Sequence, residues 1–222
     1  AFRLIPSEIL SLDELGLPRF VFINKIDKTE LSPRDVLASM QPASSKPLIL
    51  RQIPIWTAGV VTGYVDLALE RAFVYREQAE SQVIDIPADV AGLEKAERFA
   101  MLEKLADHDD EMMEQLLSDM EPPRDRVFGD LSRELAEGLI TPVLFGSAEH
   151  GNGVGRLLKA LRHEAPGIAD TVKRLDLKAN GGAVAQVLKT FHTAHGGKLS
   201  LARILTGEVA DGAVFHGGKG HD

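Results

Sequence analysis

The chain has no cysteine in its 222 residues, so it can form no disulfide and no thiolate metal site, and a reducing compartment is permitted. No apolar run approaches the ~20 residues a helix needs to cross a bilayer, and no secretory leader is evident at the start. The expected location is therefore the cytoplasm, with no membrane partner. Excess positive charge is also lacking: 25 Lys and Arg stand against 33 Asp and Glu, a net charge of −8. DNA is not an expected partner, although a local basic patch can still touch RNA phosphates. Nor does Gly-x-x-x-x-Gly-Lys-Ser/Thr occur, since neither Gly197-Lys198-Leu199 nor Gly218-Lys219-Gly220 completes it. The chain by itself thus lacks the loop that cradles nucleotide phosphates. What it does have, 44% hydrophobic and 26% charged residues, suffices for a buried core in one or two domains.

In Arg19-Phe20-Val21-Phe22-Ile23-Asn24-Lys25-Ile26-Asp27 an apolar run stops at polar side chains. This is the pattern of a buried strand whose carboxyl end presents a ligand site, where open α/β sheets bind. The polar types suit a guanine ring. A carboxylate at Asp27 accepts from two adjacent donors, ring N1–H and the exocyclic amino group, where adenine offers the opposite polarity. The Asn24 amide either reaches ring N7 or ties the loop to its neighbours, and the Lys25 stem lies on the base face. The stretch resembles Asn-Lys-x-Asp, the fourth motif of translational GTPases. Alone, it reads equally as a strand leaving the core into a charged turn.

Pro142-Val143-Leu144-Phe145-Gly146-Ser147-Ala148 is a second apolar strand, and it ends in small residues. Small residues let backbone N–H groups approach a ligand, so the Ala148 N–H is expected to meet guanine O6, with Ser147 buttressing Asp27. This resembles the fifth GTPase motif. Both motifs in this order, more than a hundred residues apart, are more specific than either one.

Between them, Leu48 to Ile55 reads as one strand, and Gly59 through Tyr75 as one or two more with a turn at Gly63. Gln52-Ile53-Pro54-Ile55 and Gly63-Tyr64-Val65-Asp66-Leu67 resemble the opening of the inserted subdomain of the elongation factor G family. Helical patterns follow from Pro87. Met112, Met113, Leu116, Leu117 and Met120 recur at steps of three and four, and a helix from Asp125 to Glu137 ends at a C-cap Gly138. From Glu77 to Glu121 there are fourteen Asp or Glu against Lys95, Arg98 and Lys104, an excess of eleven negative charges. Such a segment is a solvated acidic face or a partner surface. The resemblance implies the ribosomal stalk protein as that partner.

His150-Gly151-Asn152-Gly153-Val154-Gly155 reads as a turn and the start of a helix running to His163. The family often carries a lysine and an asparagine here. Residues 168–182 form a charged linker, and 183–222 open with a hairpin that turns through His195-Gly196-Gly197. That hairpin resembles the first strands of the family's β-barrel second domain.

The resemblance to elongation factor G, or to a close paralogue, spans nearly the whole chain. It implies an α/β fold: the C-terminal half of a P-loop-type GTPase domain with an inserted α+β subdomain, then the first strands of a β-barrel. The expected division is 1–46 for GTPase domain with the guanine motif, 47–138 for the insertion, 139–167 for the last GTPase strand and helix, 168–182 for the linker and 183–222 for the barrel. The implied ligands are GTP and GDP at Asn24, Lys25, Asp27, Ser147 and Ala148. Mg²⁺ is implied only in the intact protein, because no Asp-x-x-Gly-His and no Mg²⁺-binding Thr or Asp occurs in the family's order, and the chain alone is expected to be inactive. The implied partners are the ribosome, with its stalk protein and rRNA, and indirectly the tRNA–mRNA complex. Alternatives are a GTPase like peptide-release factor three, a ribosomal protection protein, or a non-enzymatic adaptor whose nucleotide pocket is vestigial.

Overall fold

In the computed structural model, residues 6–28, 32–77, 79–178, 182–193 and 197–217 are described. They divide into two compact units, Ala1–Ala165 and Pro166–Asp222.

The first unit begins with α1 (Pro6–Glu14), in whose interior Ser11 lies, and β1 (Val21–Ile23), followed by a tight turn at Ile26–Lys28. In α2 (Pro33–Met40) Pro33 takes the first helical position, where its missing N–H leaves no bond unmade, and Ser32 accepts the Asp35 N–H at 3.1 Å. The apolar run from Leu48 is two strands rather than one: β2 (Leu48–Leu50) and β3 (Gln52–Thr57). After them come β4 (Val60–Asp66), β5 (Arg71–Arg76) and β6 (Ala79–Ile84), then α3 (Ala91–Ala106), α4 (Asp110–Leu117) and α5 (Arg124–Ala136). The unit closes with β7 (Thr141–Phe145) and α6 (Val154–Glu164).

Strand β7 is the middle of a parallel sheet, order β1-β7-β2, and every one of its residues is buried. A strand covered on both faces reads as a near-continuous apolar run, which is why residues 142–145 show no alternation. The other four strands form an antiparallel meander, β3-β4-β5-β6. Arg51 is where the chain changes sheet. Its N–H bonds Val143 O in the parallel sheet at 3.0 Å, and its carbonyl accepts the Leu67 N–H beside the meander, also at 3.0 Å. Leu48–Leu50, placed with the insertion by a boundary at residue 47, therefore lie in the parallel sheet with β1.

The turn expected at Gly63 lies elsewhere. Gly63 is inside β4, where a Cβ would stand 2.2 Å from Phe73 O, so the glycine serves a close strand approach. The β3–β4 hairpin instead turns at Ala58-Gly59, both at positive φ (50° and 79°), the signature of a two-residue type I′ turn. Gly138 behaves as expected. At φ 68° it follows α5, and its own N–H and that of Leu139 bond back to Leu135 O and Glu134 O, which closes the helix in a Schellman motif. Part of the acidic segment has an internal role: Asp109 caps α4 through the Met112 N–H at 2.9 Å and receives Arg126 at 2.8 and 3.0 Å.

In the second unit, the stretch expected as linker contains α7 (Ile168–Arg174), with Asp170 accepting the Gly167 N–H at 2.8 Å. Residues 179–181 of that stretch lie outside the described residues, as do His195 and Gly196 of the expected turn. β8 (Val184–Thr193) and β9 (Gly197–Thr206) pair antiparallel, with the register shifting at Val184/Ala185 and at Val187/Lys189. These are the only strands among the described residues of this unit. The architecture is mixed α/β, with one parallel and two antiparallel sheets.

Candidate functional site

Parallel pairing of β1 with β7 sets Ile23 opposite Phe145, so the loops that follow the two strands start side by side. Backbone bonds lace them together: the Gly146 N–H donates to Ile23 O at 3.0 Å, and the Ile26 N–H donates back to Gly146 O at 3.1 Å. Gly146 is required there. A Cβ on it would stand 2.1 Å from Asn152 O and 2.9 Å from the Phe22 ring. Asn152 O also accepts the Ser147 N–H at 2.9 Å, folding the second loop back on itself.

This lacing brings Asn24, Lys25, Asp27, Ser147 and Ala148 into one neighbourhood. Asn24 Oδ1 accepts two backbone N–H groups, from Lys25 at 2.8 Å and from Ala148 at 2.9 Å. Of the two roles open to Asn24, the structure has the one that ties the loops. The Ala148 N–H, expected to meet guanine O6, is therefore engaged by Asn24. Lys25 is exposed and sits at φ 63°, a left-handed conformation rare for a side-chain-bearing residue.

Asp27 is largely buried. Its Oδ1 has no hydrogen-bond partner, and neither has the buried Ser147 Oγ. Burial alone pushes the Asp27 carboxyl up, but the Ser147 hydroxyl beside it, its own backbone N–H, His150 and Lys28 together hold it below the ordinary value. The carboxylate is thus kept ionised as an acceptor. Its Oδ2 lies 3.7 Å from His150 Nε2, and the neighbouring Lys28 Nζ reaches Glu149 Oε2 at 2.6 Å. Sequence reasoning does not single out Lys28, Glu149 and His150 as site residues. The available signal is the charge order, acid then base at Asp27-Lys28 and again at Glu149-His150.

Support comes from behind. The Phe145 N–H donates to the buried Gln52 Oε1 at 3.1 Å, which binds the last residue of β7 to the first of β3. Beneath lies an ionic cluster of Arg51 with Glu164, Arg156 with Asp66, and Arg156 Nη2 with Glu164 Oε1 at 3.4 Å. Among the described residues no group of three or more His, Asp or Glu is arranged to hold a metal ion, and no helix is long and apolar enough to cross a membrane.

No family model matches the chain. It is similar to an elongation factor G-like protein of Synechocystis, 41% identical over 93% of this chain and 31% of that protein. It is also similar to elongation factor G of Rhodopirellula baltica, 35% identical over 90% of the chain and 30% of that protein. A crystal structure of a Thermus thermophilus protein shares the fold, with a TM-score of 0.73 over 88% of this chain and 28% of that one, at 23% identity. The chain spans about a third of the length of these curated relatives. What the chain resembles is a stretch of elongation factor G and elongation factor G-like proteins that includes both loops of the site.

Proposed function

We propose that this chain is the base-reading part of a translational GTPase that binds GTP and GDP and couples hydrolysis to movement of tRNA and mRNA on the ribosome. The observation that carries this reading is the meeting of Asn24, Lys25, Asp27, Ser147 and Ala148 at adjacent ends of two parallel strands, with Asp27 kept ionised. Strand termini of this kind are where open α/β sheets hold ligands. Asp27 would accept from ring N1–H and the exocyclic amino group, and Lys25 would cover the base face. Contact of the Ala148 N–H with O6 requires that it exchange its bond to Asn24 Oδ1 for one to the base.

The base site selects the purine and does no phosphate chemistry. Phosphate, Mg²⁺ and the attacking water fall to other parts of the longer protein in this reading. Within the insertion, Glu103, Asp110, Glu114 and Asp119 are exposed, and they are the groups we assign to a basic partner such as the stalk protein of the ribosome. The chain's division into a GTPase part, an insertion and the start of a barrel is part of the same proposal, as is a cytoplasmic location. The test is GTP hydrolysis by the purified full-length protein with and without ribosomes. Turnover stimulated at least about tenfold by ribosomes is expected of a translational GTPase. Turnover that ribosomes leave unchanged would count against it.

A further inference from the structure

The groups that would read a base are engaged with one another across the two loops. Asn24 holds the Ala148 N–H, Asp27 faces His150, and Lys28 holds Glu149. Glu149 and His150 follow Ala148 directly, so any motion that frees the Ala148 N–H also moves these two side chains. The charge order is matched crosswise: each acid faces a base on the other loop. Of the Asp27 oxygens, Oδ1 is buried and Oδ2 is the one that His150 approaches. A purine that uses Oδ2 must therefore take the place of the imidazole. His150 and Glu149 also line a recess of about 490 Å³ with Thr62, Tyr75, Glu77 and Asn152, into which the displaced side chains can swing. The charged or titratable groups around His150 are Asp27, Lys28, Glu149, Glu77 and Tyr75.

We propose that Glu149 and His150 are positioning residues that set guanine affinity, forming with Lys28 and Asp27 a clasp that competes with the base for the Asp27 carboxylate. This rests on the guanine-site reading above. The clasp side chains are more than half exposed except Asp27, so each pair is a weak, screened interaction and the clasp tunes affinity without abolishing it.

The experiment measures GDP affinity by calorimetry in the full-length protein over a range of salt concentrations. The variants are His150→Ala, Glu149→Gln, the two combined, and His150→Lys. The combined variant is expected to bind GDP about two- to five-fold more tightly than wild type, with the gap closing as salt rises. His150→Lys restores a cation opposite Asp27 and returns affinity to the wild-type level or below. Because all these substitutions are at exposed positions, an unchanged melting temperature accompanies each of them. Unchanged or weaker GDP binding in the combined variant overturns the clasp, and so does a gap that ignores salt. Asp27→Asn separates the two ideas: if it loses guanine preference while the clasp variants do nothing, only the clasp falls. If Asp27→Asn keeps its guanine preference, the site reading fails and the clasp fails with it.

Discussion

The guanidinium of Arg51 is bonded to the Glu164 carboxylate, 113 positions away at the end of α6, and both side chains are buried. Arg156 completes the cluster by joining Asp66, whose Oδ1 also accepts the N–H groups of Ala68 and Leu69 at 3.1 and 3.0 Å. Each charge is offset by an opposite one, so the cluster is neutral as a whole. Removing one member strands another in a medium that cannot solvate it. Glu164→Ala is expected to lower unfolding free energy by about 3–5 kcal/mol, read as a fall in the urea midpoint at unchanged slope.

Gly63→Ala is expected to destabilise the unit by roughly 1–3 kcal/mol, as overpacking does. The added carbon would stand 2.2 Å from Phe73 O, a backbone atom that cannot swing aside, so β4 and β5 must separate. Thermal unfolding of the variant checks this, and an unchanged melting temperature would mean the two strands are not in contact there.

Ala58→Gly acts in the opposite direction. Ala58 sits at φ 50° in the first position of the type I′ turn, where a Cβ is unfavourable by about 1–2 kcal/mol. Glycine removes that strain while loosening the unfolded chain, so a net gain of about 0.5–1 kcal/mol is expected in denaturant titration.

Glu134 makes stability depend on pH. Burial pushes its carboxyl up to about 8, only partly offset by Arg133, with Asp130, Asp109 and Glu137 adding to the rise. Its Oε2 has no hydrogen-bond partner. Between the ordinary value of 4.5 and 8 the folded state holds a proton that the unfolded state has lost. The contribution is therefore fully present below 4.5 and lost as pH rises through 8. Glu134→Gln should flatten the fall in melting temperature between pH 5 and about 9, and parallel wild-type and variant profiles would contradict the assignment.

Much of the scaffold was legible because burial writes itself into composition. Residues 142–145 are apolar throughout since β7 is covered on both faces, and the Gly138 stop is local chemistry. The meeting of Asn24 and Asp27 with Ser147 and Ala148 was foreseeable from two apolar runs ending in polar or small residues. Other features depend on partners distant in sequence. Nothing local marks Arg51 as a sheet change, because its N–H and carbonyl serve strands that follow much later. Gly63 looks like a turn residue until Phe73 is brought against it. The charge pairs of Lys28 with Glu149 and Asp27 with His150 exist only once β1 and β7 are paired. For Ala148, the competition between a base oxygen and Asn24 Oδ1 for one N–H has no trace in the sequence.

The most direct measurement is the affinity of the full-length protein for guanosine and xanthosine diphosphates, wild type against Asp27→Asn. The substitution replaces an acceptor with an amide that can donate to the xanthine oxygen, so preference should move from guanosine toward xanthosine by at least about a hundredfold. Retained guanosine preference in Asp27→Asn, with wild-type affinity, would show that this carboxylate does not read the base.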